Sequence, residues 1–269
     1  MTKSLSIPKT NGTESTSDSE GFKREFFKEL YELESRNFWF RNRNKLIIWA
    51  LKKFFPDAKN FLEIGCGTGF VLTGINLAIP YLELCGSELF ADGLSFAEKR
   101  LPHVKLVQLD ARKLTLSDTF DVIGAFDVIE HIEEDEQVLE QLYKSCRQGI
   151  ILTVPQHPWL WSHLDEVSCH KRRYTRDELV KKVQGAGFSV TFVTSFVSLL
   201  LPIMLLSRWK KKTAKNFDVT EELKLPNFLN NFLEKILLLE NILIENSIKL
   251  PVGGSLLLIA RKPWQPGDA

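Results

Sequence analysis

Short apolar runs alternate with amphipathic stretches along most of this chain. Runs at 61–63, 82–87, 104–108, 120–126 and 149–154 are rich in Leu, Ile, Val and Phe and stop at acids or turn residues. Their length and composition predict five strands, and runs at 188–194 and 255–261 predict two more. Helical spacing appears first at Phe22, Phe26, Phe27, Leu30 and Leu33, which predicts a helix over 22–37 with one face turned inward. An aromatic stretch at 38–43 then precedes a second predicted helix over 46–55, stopped by Pro56. Thr175 with Glu178 three places on forms a capping box, so a helix is expected over 175–186, closed by Gly187.

Between the sixth and seventh strands the pattern changes. Residues 195–252 read as a helical insertion. It opens with an apolar run from 196 to 206, broken by Pro202 and followed by Arg208, Trp209, Lys210, Lys211 and Lys212. That run is short of the ~20 residues a membrane span requires. A short apolar segment flanked by Trp and a basic cluster has the signature of an interfacial helix on an anionic membrane. Residues 225–248 read as a long amphipathic helix with Phe228, Leu229, Phe232, Leu233, Ile236, Leu239 and Leu243 on one side. Asn230, Asn231, Glu234, Lys235, Glu240 and Glu245 exclude it as a span. The insertion therefore has three readings: a lid on the sheet, a homodimer contact, or a membrane-surface contact through 195–212.

Composition sets the outer limits. The 269 residues are 44% apolar with a formal net charge of +1, as expected of a soluble globular chain with no basic excess for nucleic acid. One domain over 21–269 is the expectation, preceded by a polar, disordered tail at 1–20 that lacks an apolar signal core. Four scattered cysteines, Cys66, Cys85, Cys146 and Cys169, form no C-x-x-C pair and suit reduced thiols in a cytoplasmic protein, one that is peripheral at the membrane if the insertion touches lipid.

The chemistry concentrates where the first strand ends. Phe61-Leu62-Glu63-Ile64-Gly65-Cys66-Gly67-Thr68-Gly69-Phe70 joins a strand to a turn whose glycines let backbone close on a ligand. Its spacing is G-x-G-x-G, whereas a dinucleotide fingerprint reads G-x-G-x-x-G, so a nicotinamide dehydrogenase is disfavoured. The loop holds no phosphate-seeking cation, and Glu63 suits a ligand bearing an ammonium, such as the amino acid end of S-adenosylmethionine. Glu88 ends the second strand 19 residues after Gly69, where a βαβ unit places an acid for ribose hydroxyls. Asp110 followed by Ala111 ends the third strand, an acid for an adenine amino group beside a small residue that leaves room for the ring.

These motifs, LEIGCGTG, the Glu88 strand end, LDA at 109–111 and FDVIEHI at 126–132, resemble those of the class I S-adenosylmethionine-dependent methyltransferases in order and spacing. The resemblance covers roughly 38–193 and 255–261. It implies an α/β fold: a doubly wound, mostly parallel sheet of seven strands with helices on both faces. It implies S-adenosylmethionine as cofactor, with Glu63 at the methionine ammonium and Gly65, Gly67 and Gly69 in close approach. Glu88 is then placed at the ribose diol, Asp110 and Ala111 at the adenine, and Phe126 and Asp127 beside the methyl donor. Family members often fold an N-terminal segment over the cofactor, which makes Arg41 and Arg43 candidates for the methionine carboxylate, with Arg43 the choice.

His131 has three roles open to it. It is the candidate catalytic base or a cofactor contact, with His157, His163 and His170 as alternative bases; it is a structural residue; or it joins Asp127 and Glu130 in a metal set like that of some methyltransferases of ubiquinone biosynthesis. No metal is assigned. The loop after the fifth strand carries Trp159, Trp161, His157, His163, His170, Lys171, Arg172 and Arg173, too much functional chemistry for a plain connector. It is expected to border the acceptor pocket, with Arg172 and Arg173 either holding an anionic acceptor or pairing with Asp165 and Glu166. The resulting expectation is an O-methyltransferase for a small, lipophilic or lipid-linked acceptor. The alternative is a non-catalytic cofactor-binding or membrane-surface adaptor on the same fold.

Overall fold

A computed structural model describes residues 26–211 and 225–263, with side chains not described at 207–211. The predicted tail at 1–20 and the end of the basic cluster at Lys212 lie outside the described residues. Seven strands, β1 (Asn60–Ile64), β2 (Glu83–Glu88), β3 (Lys105–Gln108), β4 (Phe120–Phe126), β5 (Cys146–Pro155), β6 (Ser189–Phe196) and β7 (Ser255–Arg261), form one sheet in the order β3-β2-β1-β4-β5-β7-β6. Only β7 runs antiparallel to its neighbours. The strand order reverses beside β1, and the carboxyl ends of β1 and β4 open there onto one crevice, the place where doubly wound sheets bind ligands.

Both faces of the sheet are covered, so the inner strands are apolar on both sides. Phe61, Val122 and Leu257 face α2 (Phe38–Phe54) and α3 (Phe70–Ala78) in a core with Ile47, Leu51, Leu72 and Ile75. The alternate positions Leu62, Ile123 and Leu258 pack against Leu139 and Leu142 of α5 (Asp135–Ser145) and Leu179 and Val183 of α7 (Arg176–Gly185). The two-residue period of each strand thus feeds two cores. The Thr175–Glu178 capping box forms as the sequence predicts.

Helices α1 (Phe26–Leu33) and α4 (Ala91–Arg100) complete the cofactor side; α6 (His163–Val167) lies in the loop after β5. Two predicted elements need correction. The aromatic stretch at 38–43 is the start of α2 rather than a connector, because the Asn37 side chain accepts the Trp39 N–H at 2.9 Å and caps the helix there. Asn42 and Asn44 hid this start, since they interrupt the apolar period yet are buried. The second correction concerns the insertion, which contains α8 (Leu201–Lys211) and α9 (Asn227–Glu245). The face α9 turns inward carries Asn230, Leu233, Leu237, Glu240, Asn241 and Ile244, while Phe228, Phe232 and Leu239 are exposed.

The polar residues of α9 point inward because they complete other elements. Asn230 Oδ1 accepts the Phe38 N–H at 2.8 Å and its Nδ2 donates to the Arg36 carbonyl at 2.9 Å. Asn241 donates to the Asn42 carbonyl at 3.2 Å. Glu240, 1% exposed, accepts the backbone N–H groups of Val197, Ser198 and Leu199 at the turn before α8. Burial raises its pKa, and those three N–H groups oppose the rise. Arg41 on α2 pairs with Glu234 on α9, which adds a further tie between the insertion and the N-terminal helices.

Candidate active site

The carboxyl ends of β1, β2, β3 and β4 open into a cavity of about 1280 Å³ that continues beneath α8 and α9. At the β1 end Gly65, Gly67 and Gly69 all have positive φ, at 66°, 52° and 77°. A Cβ at Gly65 would sit 2.6 Å from Val128 Cγ2, so glycine is required there for space as well as conformation. Gly65 and Gly67 line the cavity, but Gly69 does not. Its place is at the start of α3, where a Cβ would press on Ala97 at 3.0 Å, so its role is packing rather than ligand approach.

Glu63 is 2% exposed, and its Oε2 has no partner. Burial raises its pKa well above the usual carboxylate range; Arg43 opposes this, and Glu34 and Glu88 add to it. An unpartnered buried carboxylate oxygen at a strand end leaves an acceptor open to the cavity. Glu88 accepts the Gly67 N–H at 2.9 Å and the Phe90 N–H at 3.1 Å, which ties the second strand end to the glycine loop. Its pKa is also raised by burial, against the pull of those N–H groups. Asp110 accepts from Arg112 through Nε and Nη2 and caps the turn at Ala111. Burial alone would raise its pKa, but Arg112 brings it below the usual value.

Arg43 lies in the cavity wall and Arg41 outside it. The Arg43 guanidinium pairs with Asp127 and sits 4.5 Å from the centre of the Trp39 ring, while its Nε is buried without a partner. Asp127 holds a positive φ of 57°, and its N–H donates to the Thr153 carbonyl at 2.9 Å. Such strain is characteristic of functional turns. Phe126 reaches the cavity and stacks on Phe61.

The loop after β5 is organised by Asp165, which is fully buried. It accepts the Ser162 N–H at 2.7 Å, the Ser162 hydroxyl at 2.8 Å, Arg173 Nε at 2.7 Å and a contact from His170 Nδ1 at 2.9 Å. Burial alone would raise its pKa; His170, Arg173 and Ser162 together hold it far below the carboxylate range. Arg173 therefore pairs with Asp165, as one of its two predicted roles required, whereas Arg172 pairs with Asp135 and Glu133. The buried Tyr174 hydroxyl donates to Asp135 at 2.7 Å. His163 faces Glu166 at the surface, and His157 stacks on Trp159.

His131 and His170 meet edge to face with ring centres 4.7 Å apart. Burial and then the neighbouring His170 push the His131 pKa down to about 3, so its ring is neutral at physiological pH. Its Nδ1 is buried without a partner, as are both carboxylate oxygens of Glu130. Burial and the nearby Asp127 raise the Glu130 pKa well above normal. Ligand atoms of Glu130, His131 and His170 lie within 4.8 Å of one another, a set able to hold a divalent cation. Asp127, the third member expected from the sequence, is instead turned to Arg43.

The sequence reading did not single out Glu34, Thr68 and Arg100. Arg100 bonds both the Glu34 carboxylate and the Thr68 hydroxyl at 2.8 Å, locking α1 and α4 behind the glycine loop. Thr68 lies in the glycine motif, but the three residues are far apart in sequence and nothing in it joins Thr68 to Glu34 and Arg100.

Residues 62–152 match the methyltransferase domain family. A probable S-adenosylmethionine-dependent methyltransferase of Mycolicibacterium smegmatis is 26% identical over 176 residues, covering 59% of this chain and 62% of the relative. A phosphatidylethanolamine N-methyltransferase of Cereibacter sphaeroides is 30% identical over 106 residues, covering 36% and 49%. The solved structure of Haemonchus contortus phosphoethanolamine N-methyltransferase 2 with S-adenosyl-L-methionine superposes with a TM-score of 0.60 at 19% identity, covering 90% of this chain and 58% of that one. The chain thus spans less than two thirds of the length of each of these relatives. Residues 62–152 thus carry a methyltransferase domain, and the strand order, the glycine loop with its flanking acids and these matches together support a class I S-adenosylmethionine-dependent methyltransferase.

Proposed function

We propose that this protein transfers the methyl group of S-adenosylmethionine to a hydroxyl oxygen of a small, lipophilic acceptor. The observation that carries the reading is the continuity of one cavity from the polar strand ends to an apolar chamber. Glu63, Glu88, Asp110 and Arg43 line the first part; Leu200, Met204, Leu225 and Leu233 of the insertion line the second. The volume of about 1280 Å³ exceeds what one drug-sized ligand fills and leaves space for two.

The residues fit the cofactor. The free Glu63 oxygen suits its ammonium, the Arg43 guanidinium its carboxylate, Glu88 its ribose hydroxyls, and Asp110 with Ala111 its adenine. Bound there, S-adenosylmethionine supplies an electrophilic methyl on a sulfonium. The protein then has to position an acceptor oxygen, exclude water and take a proton. Apolar walls favour the loss of the sulfonium charge. For the proton, His170 is better placed than His131. Asp165 Oδ1 lies 2.9 Å from His170 Nδ1 and orients that ring, whereas burial holds His131 far below the near-neutral value a base needs. An oriented base at the acceptor end suits a hydroxyl, whose proton has to leave as the new O–C bond forms.

Support for a lipophilic acceptor comes from the relative that acts on phosphatidylethanolamine, although that relative methylates nitrogen. The test is incubation with methyl-labelled S-adenosylmethionine and an organic-soluble extract, with mass spectrometry of the product. Label recovered in the organic phase on oxygen supports the reading. Label on nitrogen or in water-soluble products overturns its finer part, and cofactor binding without transfer returns the adaptor alternative.

A further inference from the structure

Among the described residues fifteen large apolar side chains are exposed, and eleven of them lie between 199 and 252. Helix α9 shows why. Its buried stripe packs on the protein, and a second stripe at Phe228, Phe232, Leu239 and Ile242 repeats at helical spacing on the outside. Phe228 is 84% exposed and Phe232 51%. On helix α8 Ile203 is exposed at 47% and Leu206 at 58%. A helix that is apolar on two faces expects two apolar neighbours, and only one is present.

Position decides what the second neighbour is. Ile203, Leu229 and Phe232 are exposed and also line the apolar end of the cavity, so they form the rim of its opening. Immediately after the exposed turn of α8 the sequence reads Arg208-Trp209-Lys210-Lys211-Lys212. An apolar rim followed by Trp and four basic residues matches the boundary of an anionic bilayer, each cation near the surface contributing about 1 kcal/mol. No described helix is long and apolar enough to cross a membrane, so the contact is with the surface.

We infer that α8 and α9 dock on an anionic membrane surface with the cavity opening against the lipid, so that the acceptor enters from the bilayer. The acceptor-entry part rests on the reading under Proposed function; the docking part does not. The experiment is flotation of the purified chain with phosphatidylcholine vesicles, with and without phosphatidylglycerol, at low and high salt. Each condition is paired with calorimetric binding of S-adenosylhomocysteine and light scattering for mass. The expected result is partitioning to the anionic vesicles, weakened by salt. Replacing Lys210, Lys211 and Lys212 with Glu should lower it about a hundredfold or more, and Phe228→Ser with Leu206→Ser about tenfold or more. Homocysteine-cofactor binding should not change in either variant. Absence of partitioning at low salt, partitioning unaffected by both variants, or a dimer that the Phe228→Ser and Leu206→Ser changes dissolve would each overturn the proposal. Lipid docking with no cofactor binding would sink the methyltransferase reading and leave the docking surface standing.

Discussion

The two ends of the cavity are built on different principles. The cofactor end is made by backbone: four strand ends, a turn of three positive-φ glycines and acids fixed within two residues of a strand end. The acceptor end is made by side chains from distant segments, with Asp165, His131 and α9 brought together across more than a third of the sequence. A backbone site leaves a spaced motif, because glycine is needed at fixed positions. A side-chain site leaves only residue types, since many segments can deliver a carboxylate or an imidazole to the same point.

Substitutions should separate the two ends. The largest loss is expected at Asp165→Ala, which strands the buried Arg173 charge and removes the partner of His170. Chemical denaturation should show a loss of about 3–5 kcal/mol, with cofactor affinity little altered in protein that remains folded. Glu88→Ala acts on the other end: the Gly67 and Phe90 N–H groups lose their acceptor, and titration with S-adenosylhomocysteine should weaken by up to ~3 kcal/mol. A loss of only a few tenths would mean that Glu88 does not face the ribose.

A third prediction uses pH. The His131 pKa falls from its ordinary value to about 3 on folding, so between those values the unfolded chain takes up a proton that the folded chain refuses. Its contribution to stability is present above the unfolded pKa and is lost as pH falls toward 3. Comparing urea midpoints at neutral pH and near pH 5, His131→Gln should remove about 2 kcal/mol of that acid-side loss. Glu63 and Glu130 have raised values and change stability in the opposite sense, so the informative quantity is the difference between wild type and variant. The smallest effect is expected for Arg41→Ala, whose partly exposed pair with Glu234 contributes about 0.2–1 kcal/mol. A larger loss there would mean that α9 depends on this tie more than on its buried face.

The same contrast explains what could be read from the sequence. All seven strands, the loop of Gly65 and Gly67, and the strand-end acids Glu63, Glu88 and Asp110 fall where apolar runs and glycine spacing placed them. The inward face of α9 was misread because apolar periodicity takes Asn230, Glu240 and Asn241 for solvent positions. Those residues are buried to satisfy the backbone groups of Phe38, Arg36, Asn42 and the turn before α8, a requirement set by other segments. The start of α2 was lost for a related reason, since its Asn42 is buried with a donor aimed at the Phe38 carbonyl. His170 carried no signal above its neighbours until folding set it between Asp165 and His131.

The most direct test of the central claim is calorimetric titration of S-adenosylhomocysteine into the wild-type chain and into Glu88→Ala and Asp165→Ala, each first shown to be folded. The account predicts one-to-one binding to wild type, weakened binding to Glu88→Ala and near-wild-type binding to Asp165→Ala. No binding by the folded wild-type chain, or equal losses in the two variants, would contradict a cavity with separate cofactor and acceptor ends.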